Sequence, residues 1–308
     1  MKNKKIYLGF AVTILACSIT FSSCRKKEKS TESTPDTEQS TATDNNLAEI
    51  ISTDIEAVGS QVAESSTLTI YKTNGNGILA MSPCASVTSN TVTKTYTVDF
   101  GTTGCVGFDG RTRTGKLFFN FSGSTPATAI YYRNPGFKMV VTSSNYVVDG
   151  NAVTINSKTV TNTTPAGAPT GTNLTWAISA NISIVKANNG GSITWACDRT
   201  KELTSSYWPC YYSQTVAIDW TKAKVRVNGT ATGTNTKGET FTVKAINLLR
   251  DFNCAPDVSK PHRHPFISGK IEYTPASRPL REIDFGTGGC DFNGTCTING
   301  QTWTFTLP

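Results

Sequence analysis

The sequence predicts an all-β protein: an antiparallel sandwich or barrel-like body with an internal duplication, preceded by one short amphipathic helix. Three observations support this fold class. After residue 68, short segments rich in Thr, Val, Ile and aromatic residues alternate in polarity. Tight-turn dipeptides separate these segments, and one eight-residue motif occurs twice. Many short strands with turn signals between them are typical of sandwiches and barrels.

The first 23 residues have the organisation of a secretory signal peptide. Three lysines precede an apolar run from Ile6 to about Phe21, and two small residues follow it directly before Cys24. The sequence FSSC that ends at Cys24 resembles the lipobox of bacterial lipoproteins, which implies acylation of this thiol with palmitate-type chains. Cys17 is a competing acceptor, but Leu15 is bulky for the position that it would occupy. The other interpretation is an ordinary cleaved signal followed by a chance cysteine.

Residues 24–45 are predicted to be the lipidated Cys and a disordered, Thr/Ser-rich tether. They contain almost no apolar side chains and cannot offset the entropy cost of ordering. Seven of the 29 basic residues, but only one of the 22 acidic ones, lie in the first 29 positions. These positions carry a net charge of +6, so most of the formal net charge of +7 belongs to the N-terminus, and the body is close to neutral. We expect a membrane as partner through the lipid anchor, and no nucleic acid, which requires a basic surface on the folded part.

Residues 46–65 form the one segment with a convincing helical pattern. Asn46 can cap its N-terminus, and the pattern ends near Ser65. Apolar residues recur at steps of three and four: Leu47, Ile50, Ile51, Ile55, Val58 and Val62. This apolar stripe requires a partner surface, which we expect to be a face or an edge of the following sheet.

Residues 66–308 form the predicted β-rich body, with possible halves at about 66–165 and 166–308. The predicted strands are Val92–Phe100, Lys116–Phe121, Lys138–Thr142, Asn173–Val185, Ser192–Ala196, Lys224–Thr232, Thr240–Leu248, Lys270–Tyr273 and Thr302–Leu307. The predicted turns are Asn74-Gly75, Asp149-Gly150, Asn189-Gly190, Asn228-Gly229 and Asn299-Gly300.

An internal repeat supports the division into halves. The motif VDFGTTGC at 98–105 returns as IDFGTGGC at 283–290, and the match continues from FDG at 108–110 to FNG at 292–294. Gly115 then matches Gly300. A shared motif with a shared continuation indicates duplication, which predicts equivalent disulfides in the two copies.

Seven cysteines follow the lipidation site, and in an exported protein they indicate disulfides. The predicted bonds are Cys84–Cys105, Cys254–Cys290 and Cys197–Cys210, with Cys296 left over. The alternative is a small Cys290–Cys296 loop with Cys254 free.

Four segments together are similar to a family of uncharacterised lipoproteins common in Bacteroidota. They are Asp99–Gly123, Gly191–Glu202, Gly229–Val243 and Asp284–Gln301. The resemblance covers most of the chain after residue 68 and implies an exported, all-β protein. It implies no activity. Cys296 departs from it, because a small residue other than cysteine is expected there.

Three groups of residues are candidates for a ligand site. An aromatic cluster suited to sugar rings consists of Trp195, Tyr207, Trp208, Tyr211 and Tyr212. His262 and His264 project to one face of an extended segment and are weak candidates for a metal, with Asp257 as third ligand. The repeated loops carry oxygen ligands suited to Ca²⁺: Asp99, Asp109, Asp284 and Asn293. Tight turns require the same residue types, so we favour a structural role for these four.

The sequence lacks the local motifs of metalloproteases, serine hydrolases and nucleotide-binding proteins. We therefore expect an outer-membrane-anchored envelope lipoprotein with a non-enzymatic structural or interaction role and no cofactor, facing either the periplasm or the surface. The first alternative is a module that binds glycans or another surface polymer through the aromatic cluster at 195–212, and an envelope protein is a further possible partner. The second alternative is an envelope polymer hydrolase.

Overall fold

The computed structural model describes residues 39–64, 84–107, 109–169, 172–204, 223–254 and 264–306. They form one α-helix, one short 3₁₀ turn at Ala187–Asn189 and fourteen strands: α1 (Ser40–Glu64), β1 (Ser86–Asn90), β2 (Thr95–Asp99), β3 (Cys105–Val106), β4 (Thr112–Asn120), β5 (Lys138–Val148), β6 (Asn151–Asn162), β7 (Leu174–Val185), β8 (Ser192–Leu203), β9 (Lys224–Thr234), β10 (Thr240–Asp251), β11 (Phe266–Pro275), β12 (Arg281–Thr287), β13 (Asn293–Ile298) and β14 (Gln301–Thr306).

All fourteen strands belong to one antiparallel sheet, which confirms the predicted all-β class. Each strand pairs with the next one along the chain, except that β2 pairs with β4 and the two-residue β3 pairs with the beginning of β4. Such a meander needs only hairpin connections, which explains the many short turn signals in the sequence.

Three of the predicted turns lie between strands as expected, and one is wrong. Asn189-Gly190 belongs to the connection between β7 and β8, which contains a 3₁₀ turn at Ala187–Asn189. Asp149-Gly150 connects β5 to β6 and Asn299-Gly300 connects β13 to β14, with positive φ at all four residues. Asn228-Gly229 instead lies inside β9, where the pairing register with β10 shifts. Gly229 has φ 119°, and a Cβ there would come within 2.2 Å of the Asp198 carbonyl oxygen. The glycine therefore serves a β-bulge at a close backbone approach, which has the same local signature as a turn. Asn74-Gly75 lies outside the described residues.

The helix begins six residues earlier than the sequence predicts. Thr41, Asp44 and Asn45 belong to α1 and are buried, although the composition placed them in the tether. The apolar periodicity could not reveal this first turn, because polar contacts with the sheet hold it in place.

The sheet curves around α1. Contacts to this one helix come from β4, β5, β6, β7, β8 and β11. In a flat sheet β4 and β11 would lie about 34 Å apart, whereas a helix is about 10 Å across. Ile51, Ile55, Val58 and Val62 are almost completely buried in the core inside the curve. The apolar stripe therefore has the sheet partner that the sequence requires.

Gly59 sets how closely the helix approaches the sheet. A Cβ at this position would come within 2.4 Å of the Met139 sulfur and 2.7 Å of the Phe119 ring. The helix backbone thus lies directly against β4 and β5, and only glycine fits between them.

The two proposed halves do not form separate units. The described residues on both sides of the proposed boundary near residue 165 belong to one compact unit, and β6 pairs with β7 across that boundary over almost their whole length. Most buried apolar residues belong to one large core around the helix, and a second, small cluster consists of Ala245, Leu248 and Phe285. The duplication of one motif therefore does not divide the main core.

Two of the predicted disulfides form, Cys84–Cys105 and Cys254–Cys290, as the repeat requires. The alternative Cys290–Cys296 loop is thereby wrong, and Cys296 is a free thiol. The predicted Cys197–Cys210 bond is also wrong, because Cys197 is a free buried thiol. Its side chain lies inside the curved sheet, while Cys210 lies outside the described residues. Within the described part of the chain, no helix has the length and apolar character needed to cross a membrane.

Candidate functional site

The inner face of the sheet meets α1 at a charged interface, which we call the helix–sheet charge interface. The helix carries five carboxylates and neither lysine nor arginine. Each carboxylate pairs with a basic residue of the β body: Asp44–Lys186, Glu49–Arg199, Asp54–Arg113, Glu56–Lys201 and Glu64–Arg133. The inner face of the sheet is therefore complementary in charge to this helix.

Arg113 lies at the centre of the first of two buried networks. Its guanidinium donates to Asp54 of the helix (Nε–Oδ2, 3.2 Å) and to Asp109 of the loop after β3 (Nη1–Oδ1, 3.0 Å). The Tyr146 hydroxyl donates to Asp54 Oδ2 at 3.0 Å. Burial opposes the charge on Arg113, but the two carboxylates raise the pKa of the guanidinium above its ordinary range. The cation is therefore held permanently between helix and sheet.

Glu56 lies at the centre of the second network. Its Oε1 accepts hydrogen bonds from the Tyr132 hydroxyl at 2.6 Å and from Lys201 Nζ at 2.9 Å. Burial acts to raise the pKa of Glu56, but the combined effect of Lys201, Lys158 and Tyr132 lowers it below the ordinary value. The Tyr132 ring stacks on Trp176 with centroids 4.8 Å apart. Glu56 therefore remains ionised although it is buried.

Lys158 is a fully buried lysine beside this network. Its Nζ donates to Ser52 Oγ of the helix at 2.9 Å. Burial lowers the pKa of this amine, and Glu56 opposes the effect. The neighbouring Cys197 thiol has a pKa raised to about 12, chiefly by burial. Cys197 is consequently a poor nucleophile and behaves as a core residue.

The two ends of the helix are held by different contacts. At the N-terminal end, Asp44 Oδ2 accepts from both the backbone N–H and the hydroxyl of Thr236, each at 2.7 Å. At the C-terminal end, Glu64 accepts from the backbone N–H of Arg133 at 3.0 Å and pairs with its guanidinium. Burial outweighs Arg133 and raises the pKa of Glu64 to about 7.

The chemistry available in this interface is that of paired charges. A buried ion pair costs several kcal/mol in desolvation, and each group is satisfied only if its partner is correctly placed. Such an arrangement fixes the register of the helix rather than adding large net stability. Among the residues that the structure describes, no cluster of three His, Cys, Asp or Glu side chains could hold a metal ion.

The outer face of the sheet carries a shallow, threonine-lined depression of about 870 Å³. Thr194, Thr232, Thr242 and Thr274 lie on neighbouring strands from β8 to β11 and are exposed. Arg278 from the β11–β12 turn borders the depression, and its guanidinium donates to Glu239 Oε1 at 3.0 Å. The depression thus offers hydroxyls to a ligand, beside an Arg278 guanidinium that is paired with Glu239.

Trp195, the first residue of the predicted aromatic cluster, packs in the core. Only 2 % of it is exposed, and its Nε1 donates to Asn45 Oδ1 of the helix at 2.9 Å. Trp195 points inward because the alternation of β8 places it on the same face as Cys197. It is not available for stacking on a sugar ring, which corrects its assignment as a ligand-binding residue. The other four members, Tyr207, Trp208, Tyr211 and Tyr212, lie outside the described residues.

Of the two candidate metal-binding histidines, only His264 lies in the described part of the chain. Its Nδ1 is 3.0 Å from the Cys254 carbonyl oxygen and its ring packs against Phe252. Burial lowers the pKa of the imidazole. His262 and Asp257 lie outside the described residues, so the proposed ligand set remains a hypothesis.

Both copies of the repeated motif use their first aspartate in the turn. Asp99 Oδ1 accepts from the Gly101 N–H at 2.9 Å, and Asp284 Oδ1 accepts from the Gly286 N–H at 2.8 Å. Both contacts are of the kind that an Asx turn makes. Asp109 accepts a hydrogen bond from Arg113, and Asn293 Oδ1 accepts one from the Thr306 hydroxyl.

No known protein-family model, curated protein or solved structure matches this chain. The interpretation of the site therefore depends on its own geometry. Sequence reasoning missed the helix–sheet charge interface, although two signals were present. All charged residues of the predicted helix are acidic. In the β body, basic residues occur two positions apart, as at Arg111 and Arg113 or at Arg199 and Lys201. That spacing places both side chains of a pair on one face of a strand.

Proposed function

We propose that this protein is a membrane-anchored envelope lipoprotein with a non-enzymatic structural or interaction role. In this proposal the acylated Cys24 holds the chain in the outer membrane, and α1 is the joint between the anchor and the β body. The likeness of the N-terminus to a lipoprotein signal supports the anchor, and the resemblance to exported Bacteroidota lipoproteins supports the compartment.

The single observation that carries the proposal is the pairing of all five helix carboxylates inside the sheet. The interior of a curved sheet is a common place for a ligand or an active site. Here the chain's own helix occupies it, and the charged groups of the interior are used to hold that helix. Breaking a buried pair is strongly unfavourable, because it leaves a buried charge without compensation. In this proposal the helix that follows the anchor and tether is therefore held in one register against the body by its ion pairs.

Metabolic labelling of the full-length protein with an alkyne-tagged palmitate analogue tests the anchor. We expect label on the unmodified chain and its loss in Cys24→Ala. The matched control is Cys17→Ala, which should retain full labelling and membrane fractionation. Labelling that survives Cys24→Ala but not Cys17→Ala would move the anchor into the apolar run and contradict the proposal.

Protease treatment of intact cells then decides which way the body faces. Digestion of the β body without permeabilisation assigns it to the cell surface, and protection until permeabilisation assigns it to the periplasm. Either result is compatible with an anchored protein. Recovery of the body in the soluble periplasmic fraction would contradict the anchor itself.

A second candidate function is the binding of a glycan or another hydroxyl-rich surface polymer. The threonine-lined depression on the outer face favours it, since its hydroxyls can replace the hydrogen bonds that such a ligand makes with water. Thr242→Trp would fill the depression and abolish binding on a glycan array, whereas Thr154→Trp, on the same outer face but outside the depression, would not. Equal binding by both variants would exclude this location.

A further inference from the structure

Strand β14 is an exposed edge strand without any charged residue. Its sequence is QTWTFT, and five of its six residues are exposed although they alternate between the two faces of the sheet. Trp303 is 42 % exposed. Within the described part of the chain, β14 pairs with β13 on one side and with nothing on the other. Natural edge strands are usually protected by charge, proline or a bulge, and β14 has none of these.

The hairpin geometry shows which backbone groups of β14 are free. Asn299 and Gly300 form a two-residue turn with φ 51° and 76°, so the closing pair, Ile298 with Gln301, exchanges hydrogen bonds. Hydrogen-bonded and non-hydrogen-bonded pairs then alternate along the ladder. The residues whose N–H and C=O groups point away from β13 are therefore Thr302, Thr304 and Thr306.

We propose that β14 is a docking edge for a second copy of this chain, pairing antiparallel with the same strand of that copy. The two-fold axis passes beside Thr304. In this register Thr304 exchanges two hydrogen bonds with its counterpart, and Thr302 and Thr306 of one copy each exchange two with Thr306 and Thr302 of the other. Every free backbone group of the three threonines is thereby satisfied.

The side chains of β14 fit the same register. Trp303 lies directly opposite Phe305 of the second copy in a non-hydrogen-bonded pair, where side chains approach most closely, and the contact occurs twice by symmetry. Phe305 already covers Gly294 of its own hairpin, since a Cβ at Gly294 would lie 2.9 Å from that ring. The strand carries no charge, so two copies do not repel each other. The edge is thus complementary to itself in hydrogen bonding, in shape and in charge.

The other free edge of the sheet, β1, is a poorer partner. The Phe121 N–H donates to the Lys94 carbonyl, and the Phe100 N–H donates to the Gly115 carbonyl. Hydrogen-bonded pairs recur at every second residue of this ladder, so the backbone groups of Tyr96 and Val98 in β2 also point towards β4. By alternation only Val87 and Ser89 of β1 have backbone groups that point outward. Pairing of β14 with β1 of another copy would join two different surfaces, so copies could be added one after another into an open chain. Pairing of β14 with β14 of a second copy uses the same surface on both and ends at a two-fold dimer.

Cysteine cross-linking of the full-length protein in its membrane tests this register. Cys210 and Cys296 are first replaced by serine, and single cysteines are then introduced by Thr304→Cys or Thr302→Cys. At Thr304 the two Cα atoms lie about 5.5 Å apart, within disulfide range, whereas at Thr302 they lie about 14 Å apart. Mild oxidation should link most Thr304→Cys chains into a dimer on a non-reducing gel. The Thr302→Cys chains should be linked at least tenfold less.

The opposite results are equally informative. Equal linking at both positions would indicate random collision, and no linking at Thr304 would overturn the proposal. Linking of Thr304→Cys only when Val87→Cys is also present would assign the partner to β1 instead.

A proline variant separates pairing from folding. The Thr304 N–H points away from β13, so Thr304→Pro blocks the outer edge without removing a ladder hydrogen bond of the hairpin. We expect its mass in detergent, measured by light scattering, to fall from two chains to one with little change in melting temperature. Ser89→Pro, the matched change at the other free edge, should leave the dimer intact. A dimer that persists in Thr304→Pro and dissociates in Ser89→Pro would contradict the proposal.

Discussion

The two copies of the DFGTxGC motif fold alike locally and differ in what surrounds them. Each has an aspartate-capped turn with glycine in the left-handed region, and each has a disulfide to an upstream cysteine. The continuation of the first copy is buried, because Asp109 binds Arg113 and through it the helix. The corresponding Asn293 in the second copy is exposed. The motif thus determines the turn, while contact with α1 determines how deeply the copy is buried.

Removing the two disulfides in turn tests the similarity of the copies. The pairs of replacements are Cys84→Ser with Cys105→Ser, and Cys254→Ser with Cys290→Ser. The bonds close loops of 21 and 36 residues, so each loss should lower the free energy of unfolding by about 3–4 kcal/mol through greater freedom of the unfolded chain. Urea denaturation measures both. If removal of Cys84–Cys105 lowers the free energy of unfolding by several kcal/mol more than removal of Cys254–Cys290, the first bond also supports the native contacts with α1.

Exchanging Asp109 and Asn293, the residues that differ between the copies, tests whether contact with α1 makes the first copy more important for stability. Asp109→Asn removes one of the two charges that hold the buried Arg113, and we expect it to lower the free energy of unfolding by about 3 kcal/mol. The matched change Asn293→Asp lies at an exposed position and should alter stability by about 0.5 kcal/mol or less. Equal effects in urea denaturation would mean that the helix–sheet charge interface does not distinguish the copies.

Acid should weaken the helix-bound part of the molecule through Glu56. Its pKa is lower in the folded protein than in the unfolded chain. The stability it contributes is therefore present above the ordinary glutamate pKa and is lost as the pH falls through the folded value. Each such group adds a slope of up to about 1.4 kcal/mol per pH unit in that range. Stability measured between pH 3 and 6 should depend less on pH in Glu56→Gln, and an unchanged slope would show that other carboxylates dominate.

The smallest difference between the two copies is expected at the turn that they share. Gly101 has φ 72° and Gly286 has φ 77°, and a Cβ at either position would meet no atom within 4 Å. Replacement of each by alanine should therefore cost only the conformational penalty, about 1–2 kcal/mol, and the same amount in both copies. Thermal denaturation of the two variants makes this comparison. A large difference would mean that the two turns are not equivalent.

The fold could be predicted where local chemistry decides it, as in the hairpins at Asp149-Gly150 and Asn299-Gly300 and in the two equivalent disulfides. Predictions based on the same local signals were wrong where distant contacts decide. The Asn228-Gly229 pair became a bulge because β8 approaches it, and Cys197 remained a thiol because its strand turns it inward. The first turn of α1 resembled a tether because its partners, Lys186 and Thr236, are far away in sequence. No periodicity within one segment reports such a contact.

The partners of α1 also have a consequence for how the chain acquires its structure. The helix is synthesised before every strand, yet its hydrogen-bond partners follow it by 59 residues, for Asp54 and Arg113, to 228 residues, for Asn45 and Tyr273. Contacts of such long range close large loops, and proteins dominated by them fold slowly. Until β11 has emerged, the apolar stripe and carboxylates of α1 lack the complete surface that receives them. We therefore expect folding to finish late and to occur well after synthesis of the helix, so that the nascent chain depends on other factors to keep this first segment from aggregating.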